Sequence, residues 1–368
     1  MRPHLPRRRA ERRGLSLWPV GTVLALTFAT AIAVAAAAFF AGWWIIGAQG
    51  LEPERRITSQ TLFDLVKLSL GVVAGAGALV ALVVAYRRQR VDEDGARREA
   101  TRLHTERFTT AVSQLGAESA AVRLGGVHAL AGLADDAPTR ELRQTCIDVL
   151  CAYLRLPYIA EADLSRDDTD ARHAYLGLRE VRHAVIRLIC DHLRLPAGED
   201  PHSWQGHDLD FSAVAFDGGD FYNAVFSGGR VRFDGAVFAR GTVAFYGAEF
   251  SDVSVSFSGA VFSGGKVDFS GAKFSGGVVS FSRAVFAGGT VDFGYAAFSS
   301  GTVVFEDAEF SGSTVTFGDA EFTGGTVDLS GAAGVAPSGL VPSGGSPLPT
   351  GLSLPSAWYP VRPQWSKS

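Results

Sequence analysis

Cysteine and histidine residues are the first candidates for chemistry in this sequence. Cys146 and Cys151 are five positions apart, whereas a zinc site usually begins with a closer Cys-x-x-Cys pair. With Cys190 they are too few for a disulfide framework and fit a reducing compartment as small buried thiols. Four histidines of the same region, His104, His128, His183 and His192, lack the spacing of metalloproteases and a neighbouring nucleophile motif.

Glycine pairs and hydroxyl residues suggest two other kinds of chemistry. The pairs Gly264-Gly265, Gly276-Gly277 and Gly288-Gly289 would suit a phosphate-binding loop, but neither a Lys-Ser/Thr pair nor a helix pattern follows them. Serine and threonine recur with the same period and have no adjacent base, so both sets are interpreted as turn residues. The sequence therefore predicts no enzyme: no catalytic residue, no cofactor, no metal ligand and no small-molecule substrate.

Two uncharged apolar runs precede these residues and predict a transmembrane hairpin. The first, 20–46, is longer than the ~20 residues needed to cross the ~30 Å hydrocarbon core. A cleaved signal peptide is the alternative, but the length of the run, its Trp43-Trp44 end and the second run favour a span. The predicted segments are a basic tail 1–19, transmembrane helix 1 at 20–46, an external loop 47–65 and transmembrane helix 2 at 66–86.

Arginine placement predicts the orientation of this hairpin. Six arginines lie in the tail 1–19, and Arg87, Arg88 and Arg90 follow the second span, whereas the connecting loop balances its two arginines with two glutamates. Short flanks rich in arginine stay in the cytoplasm. The sequence therefore predicts a multi-pass protein of the cell membrane, in contact with the lipid bilayer, with two spans and both termini cytoplasmic.

Small and charged residues of the second span have simple interpretations. Gly71 and Gly75 either form a helix-contact face or reflect ordinary transmembrane composition. Asp64 and Lys67 are expected to form an ion pair at the outer edge of the membrane, where long side chains reach the interface.

Residues 92–200 predict a small all-α cytoplasmic domain. Phe108, Ala111, Val112 and Leu115 follow the i, i+3, i+4, i+7 spacing of one apolar helix face. Further stripes lie at 122–133, 147–154 and 181–193, with Ser119 as a candidate N-cap of the first of these. Four amphipathic helices can bury their stripes as a bundle or as HEAT-like pairs.

The C-terminal third is a repeat of twelve residues, V-x-F-x-x-A-x-F-x-x-G-x, with phenylalanines alternately five and seven positions apart. A fixed period predicts stacked units, with the valine, alanine and phenylalanine side chains directed inward. One unit per coil would crowd two phenylalanines into too small a cross-section, so 24 residues per coil and about five coils are expected. The first pentads, 209–218, lack the two extra residues and should form a tighter coil.

The units VDFSG (267–271) and AKFSG (272–276) resemble those of the pentapeptide-repeat family. The resemblance covers about 209 to 331. It implies a right-handed quadrilateral β-helix with four pentads per coil, placed at 208–331, in a bacterial, membrane-anchored member with two transmembrane helices. The stretch 107–136 also looks like the helical part beside the membrane spans of such proteins. The chain departs from the family in its two extra residues every second pentad and in its central phenylalanines.

The predicted function is a non-enzymatic, membrane-anchored scaffold that presents a rigid repeat rod to an unknown cytoplasmic protein partner. Some family members are DNA mimics that bind gyrase, so the resemblance offers an acidic binder of a nucleic-acid enzyme as an alternative, without direct nucleic-acid binding; a membrane signalling component is another. The candidate interaction surface consists of the acidic residues near the end of the repeat: Asp292, Glu306, Asp307, Glu309, Asp319, Glu321 and Asp328.

The last segment, 332–368, is rich in proline, glycine and serine, which predicts a mostly disordered tail. Its aromatic residues Trp358, Tyr359 and Trp365 suggest two roles. They either form a short partner-binding patch or fold back to cap the last coil, whose exposed strand edges would otherwise invite aggregation.

Overall fold

The structure, a computed structural model, describes residues 59–157, 168–340 and 347–359, with scattered positions between 25 and 44. The chain divides into two compact units, Met1–Glu99 and Ala100–Ser368. A helical N-terminal region precedes a parallel β-solenoid of about six coils. The helices are α1 (Ser59–Leu115), α2 (Ala120–Asp135), α3 (Arg140–Arg155) and α4 (Thr169–Arg194).

The first unit contains one helix that is long and apolar enough to cross a membrane among the residues that the structure describes, within Leu62–Leu115. The described positions between 25 and 44 are helical, but most of the first predicted span, its basic tail and most of the loop 47–65 lie outside the described residues. The two-span hairpin therefore stays a prediction. The predicted ion pair is confirmed, with Lys67 Nζ 3.7 Å from Asp64 Oδ1.

Helix α1 runs through the predicted boundary between the second span and the helical domain. Residues 87–115 contain no proline and a single glycine, Gly95, so nothing in this stretch interrupts the helix. An exposed i, i+4 pair, Arg102 with Glu106 at 2.6 Å, supports it. At Gly71 and Gly75 an added Cβ would meet no described atom within 4 Å, but most of the first predicted span lies outside the described residues, so both interpretations of these glycines stay open.

The predicted helix stripes are confirmed in α3 and α4 and in α2 from Val127 onward, whereas Val122 at the start of α2 is exposed. Leu130 of α2, Ile147 of α3 and Ile189 of α4 are fully buried in one core. Thr139 and Asp168 cap the last two helices, because their side-chain oxygens accept hydrogen bonds from the backbone of Leu142 and Ala171. Ser119 precedes α2 with an extended backbone, but its side chain makes no cap hydrogen bond.

Each twelve-residue unit of the repeat forms one strand segment and one tight turn. Val261 pairs with Val285, 24 positions later, which confirms the predicted two units per coil. Leu209 pairs with Val231, 22 positions later, so the first coil is tighter, as predicted. The two extra residues form a bulge inside the central strands, as the register shifts after Phe262 show. The glycine pairs predicted to be turn residues therefore lie within strands.

The strands form two parallel sheets, and the chain passes from one to the other at every tight turn. The first sheet contains β1 (Leu209–Asp210), β4 (Val225–Ser227), β5 (Arg230–Arg232), β8 (Glu249–Ser251), β9 (Ser254–Ser256), β11 (Lys273–Ser280), β13 (Ala297–Val304), β16 (Glu321–Phe322), β17 (Thr326–Asp328) and β19 (Leu352–Ser353). The second contains β2 (Ala215–Phe216), β3 (Gly219–Asp220), β6 (Val237–Phe238), β7 (Thr242–Ala244), β10 (Val261–Asp268), β12 (Val285–Asp292), β14 (Glu309–Phe310), β15 (Thr314–Thr316) and β18 (Ala333–Gly334).

Phenylalanine rings fill the interior in four columns. Within a column the rings stack face to face, for example Phe286 on Phe310 with centroids 4.5 Å apart. The two central columns meet edge to face, as Phe269 and Phe281 do at 5.9 Å. Of the twenty phenylalanines between Phe211 and Phe322, nineteen are buried, which confirms the predicted inward direction.

Both ends of the solenoid are covered. At the start, Arg182 of α4 donates to Leu154 O at 2.6 Å and to Ala215 O of β2 at 2.7 Å, so the helices rest on the first coil. At the other end, Leu352 of β19 pairs with Val327, 25 positions earlier, and continues the path of the coil. The prolines at 349 and 355, on either side of β19, lack the N–H that a further strand would need.

The tail segment 347–359 therefore lies against the last coil, in agreement with the cap interpretation. Trp358 packs edge to face on Phe310 at 5.6 Å and donates to Gly334 O at 2.9 Å. Leu352 and Leu354 are buried, whereas Tyr359 is exposed. Trp365 lies outside the described residues.

Candidate interaction surfaces

The tight turns of the solenoid form two edges. In each turn a backbone N–H donates to the carbonyl three residues earlier, as Ala272 N does to Phe269 O at 3.0 Å. We call one stack of turns the serine edge; its turns begin at Phe211, Phe233, Phe257, Phe281, Phe305 and Leu329. We call the other stack the tyrosine edge; its turns begin at Phe221, Phe245, Phe269, Phe293 and Phe317. Because the chain alternates between the sheets, positions twelve residues apart lie on opposite edges.

This alternation divides the seven predicted acidic residues between the two edges. Glu306, Asp307, Glu309 and Asp328 lie at the serine edge, and Asp292, Asp319 and Glu321 lie at the tyrosine edge. Two pairs show the reason directly: Asp307 and Asp319, and Glu309 and Glu321, are each twelve positions apart. The seven carboxylates therefore do not form one continuous acidic surface.

The partly buried acidic residues have a role in the backbone. Asp292 Oδ1 accepts from Gly294 N and Asp328 Oδ1 accepts from Ser330 N, both at 2.9 Å, so each carboxylate holds the tight turn that follows it. Five of the seven residues are exposed at turns or strand starts: Glu306, Asp307, Glu309, Asp319 and Glu321.

Asp268 illustrates how the same turn-holding position varies along the repeat. Its Oδ1 accepts from Ser270 N at 3.0 Å and its Oδ2 accepts from Lys266 Nζ at 2.6 Å. Burial acts to raise the pKa of this carboxyl, but the hydrogen bonds from Lys266 and Ser270 outweigh it and hold the pKa below the ordinary value. At the corresponding position half a coil later, on the serine edge, Ser280 Oγ accepts from Ser282 N at 3.3 Å. Serine can therefore hold the turn in place of aspartate.

Three tyrosines on the tyrosine edge were missed by the sequence analysis. Tyr222, Tyr246 and Tyr295 are 46%, 48% and 71% exposed. The rings of Tyr222 and Tyr246 lie parallel, with centroids 5.6 Å apart. The sequence contained a signal for these tyrosines, because the other described turns have serine, glycine, alanine or a polar residue at the same positions.

A buried polar group joins the helices to the segment that leads into the solenoid. Asp135 Oδ2 lies 3.1 Å from His192 Nε2, and Asp135 Oδ1 accepts from Trp204 Nε1 at 3.1 Å. The indole of Trp204 stacks on the His192 ring at 4.1 Å. His192 Nδ1 lies 2.6 Å from Leu188 O, so both ring nitrogens face acceptors, which favours the protonated imidazole.

The pKa values of this group follow from its geometry. Burial acts to lower the pKa of His192, but the hydrogen bonds to Asp135 and to the Leu188 carbonyl outweigh it and raise the pKa above 6.5. Burial likewise acts to raise the pKa of Asp135, but hydrogen bonds from His192 and Trp204 outweigh it and lower the pKa. Nearby His207 is different, because burial and the charges of Arg140 and Arg143 lower its pKa to about 4.

We expect the His192 contribution to the stability of the second unit to be lost as the pH rises above 6.5 and through the raised pKa of this residue. The raised pKa of His192 stabilises the folded state fully below its unfolded value of 6.5, and this contribution is lost as the pH rises through the folded pKa. His192→Gln should flatten this part of the profile of melting temperature against pH. His207, with its pKa lowered to about 4 in the folded state, is present in both proteins, so its own contribution to the pH dependence cancels in the comparison. Identical slopes for both proteins would contradict the assignment.

The cysteines and a polar cavity beside α3 carry no evident chemistry. Cys146, Cys151 and Cys190 are free and buried, as predicted, and burial raises the pKa of the first two to about 11 and about 12. They are therefore thiols at neutral pH, not reactive thiolates. Among the described residues, no group of three or more His, Cys, Asp or Glu side chains is placed to hold a metal ion.

The cavity itself, about 620 Å³, lies between the start of α3 and residues 197–207. Its arginines are engaged with backbone carbonyls: Arg140 donates to Gly206 O, and Arg143 donates to Ala134 O at 2.8 Å. The two guanidinium groups therefore hold the backbone that surrounds the cavity.

Comparison with known proteins assigns no family. No protein-family model matches the chain, and no curated protein or solved structure matches it. The parallel coils and regularly spaced phenylalanines are compatible with a pentapeptide-repeat fold.

Proposed function

We propose that this chain is a non-enzymatic, membrane-anchored scaffold that presents its solenoid to a protein partner in the cytoplasm. The observation that supports it most is the filled interior, because columns of stacked phenylalanines occupy the cross-section and leave the outer surface for binding. Repeat proteins of this kind bind through their long regular faces. A β-solenoid is consistent with a protein-interaction role.

The proposal includes the finer geometry of the family resemblance. Four inward phenylalanines per coil, in four columns, support a four-sided coil with one pentad per side. Right-handed winding is the family's form and is proposed here with it.

The membrane anchor is proposed as a two-span hairpin with both termini in the cytoplasm. The apolar stretch of α1 and the arginines that flank the predicted spans support it.

This topology predicts where introduced cysteines react. Ser16→Cys and Gln89→Cys should react with a membrane-impermeant maleimide only after cells are permeabilised, whereas Ser59→Cys should react in intact cells. The native cysteines are buried and should give little background. Labelling of Gln89→Cys in intact cells would contradict the orientation, and protection of Ser59→Cys would contradict the external loop.

Binding through the solenoid is tested with a photo-crosslinking amino acid on its outer surface. Val278 lies on a strand face and is 46% exposed, and Ser270 and Ser282 lie on the tyrosine and serine edges. The full chain, purified in detergent and mixed with soluble extract of its own organism, should crosslink to a discrete protein from at least one of these positions. Failure at all three would overturn the proposed function.

The alternative of an acidic DNA mimic has less support. Such a mimic needs carboxylates along one surface to imitate the phosphate spacing of a duplex, and here the seven candidates are divided between two edges.

A further inference from the structure

The tyrosine edge departs from the repeat in a way that the fold does not require. All three exposed tyrosines of the described solenoid lie in its turns, and none lies in the turns of the serine edge. Tyr295 has a φ of 57°. Glycine occupies the same turn position in the two preceding coils, as Gly247 and Gly271, and adopts the same backbone conformation there. A bulky residue is disfavoured there, and at 71% exposure the ring gains little packing in return. Exposed tyrosines held in a row are typical of protein-binding surfaces.

The charges around Tyr295 indicate the chemistry of the partner. Its turn is preceded by Asp292, whose Oδ2 lies 4.0 Å from Lys266 Nζ. The turn of the next coil, where Gly318 O accepts from Tyr295 N at 2.9 Å, carries Asp319 and is followed by Glu321. Aromatic faces beside carboxylates suit a guanidinium group, which stacks on rings and forms paired hydrogen bonds with acids.

The chain already places one arginine on this edge. In the first coil, Arg194 of α4 donates through Nε to Tyr222 O at 2.6 Å, and its Nη2 lies 3.6 Å from Asp220 Oδ1. Asp220 lies just before its turn and Tyr222 lies within it. Asp292 and Gly294 occupy the corresponding two positions three coils later. The first coil thus shows an arginine that contacts a turn carbonyl and the carboxylate before that turn on the tyrosine edge.

We propose that the tyrosine edge is the docking surface of the solenoid and that it binds an arginine-bearing segment of the protein partner. Guanidinium groups of this segment lie against Tyr246 and Tyr295 and pair with Asp292, Asp319 and Glu321. This inference rests on the proposed function, since it names the surface and the partner chemistry of the same solenoid.

Matched positions on the two edges test the inference with the full chain. Ser270 and Ser282 are twelve residues apart, half-buried, and the second residue of their turns, so a photo-crosslinker at either has the same local setting. We expect crosslinking from Ser270 and not from Ser282, with arginine in the captured peptide. Tyr295→Gly should lower the yield from Ser270 by about tenfold or more, because a few aromatic anchor residues carry most of the binding energy of an interface.

The control variant is Arg283→Gly. Like Tyr295, Arg283 is the third residue of its turn and has a positive φ, but its turn lies on the serine edge. The control variant should leave the yield unchanged. Both substitutions place glycine where the backbone favours it, so neither should unfold the coil.

Other outcomes separate this inference from the proposed function. Crosslinking only from Ser282 or Val278 would overturn the docking edge and leave the scaffold role intact. A captured peptide without arginine, or a captured nucleic acid or glycan, would overturn the partner chemistry. Capture from none of the three positions would overturn both.

Discussion

Phe269→Asp should unfold the solenoid, whereas Asp268→Ser at the neighbouring position should leave it folded. The Phe269 ring contacts four others: Phe245 and Phe293 in its own column, at 4.8 and 4.9 Å, and Phe257 and Phe281 in the facing column, at 5.8 and 5.9 Å. Removing a buried phenylalanine costs about 3–5 kcal/mol, and an unpaired buried carboxylate adds several more. The sum is comparable to the entire stability of a typical domain, about 5–15 kcal/mol.

Asp268→Ser is the matched control because serine already holds the same turn at Ser280. The variant loses the ion pair with Lys266, which is 42% exposed, so the change should stay within about 0.5–1 kcal/mol. Thermal melts followed by circular dichroism, together with limited proteolysis of the full chain, compare the two variants. Equal effects would show that the assignment of inner and outer faces is wrong.

Much of the solenoid was predictable because its interior is periodic. The spacing of the phenylalanines indicated 24 residues per coil, and the shorter spacing at 209–218 indicated the tighter first coil. The bulge was not predictable in detail, because a glycine pair is compatible with either an open turn or a kinked strand. The chain continues beyond the expected five coils because Leu329 and Leu352 keep the inward apolar pattern after the phenylalanines end.

The surface was harder to predict for a geometric reason. A unit of twelve is half a coil, so residues that look adjacent in an aligned repeat, such as Asp307 and Asp319, lie on opposite edges. Reading the seven acidic residues as one surface missed this alternation. Trp204 was missed for a different reason, because it is fully buried through single contacts with His192 and Asp135 that leave no periodic signal in the sequence.

Gly277→Ala should destabilise the solenoid far more than Gly259→Ala, although both glycines have a positive φ, +71° and +65°. A Cβ at Gly277 would lie 2.0 Å from Val253 O and 2.6 Å from Val253 N in the preceding coil. This backbone cannot move aside without breaking the hydrogen bond from Val278 N to Val253 O, 3.0 Å long. We expect a loss of about 3 kcal/mol or more, because a backbone clash and a lost buried hydrogen bond are added to the cost of the conformation.

At Gly259 an added Cβ meets no described atom within 4 Å, and alanine already occupies the equivalent place in the first coil, at Ala213 with a φ of 57°. Gly259→Ala should therefore cost only the left-handed backbone term, about 1 kcal/mol. For a unit of this size each kcal/mol shifts the melting temperature by about 2–4 °C, so the two variants should be separated in a thermal melt. Similar shifts would mean that backbone strain, and not the close approach of successive coils, explains why the chain has glycine at Gly277.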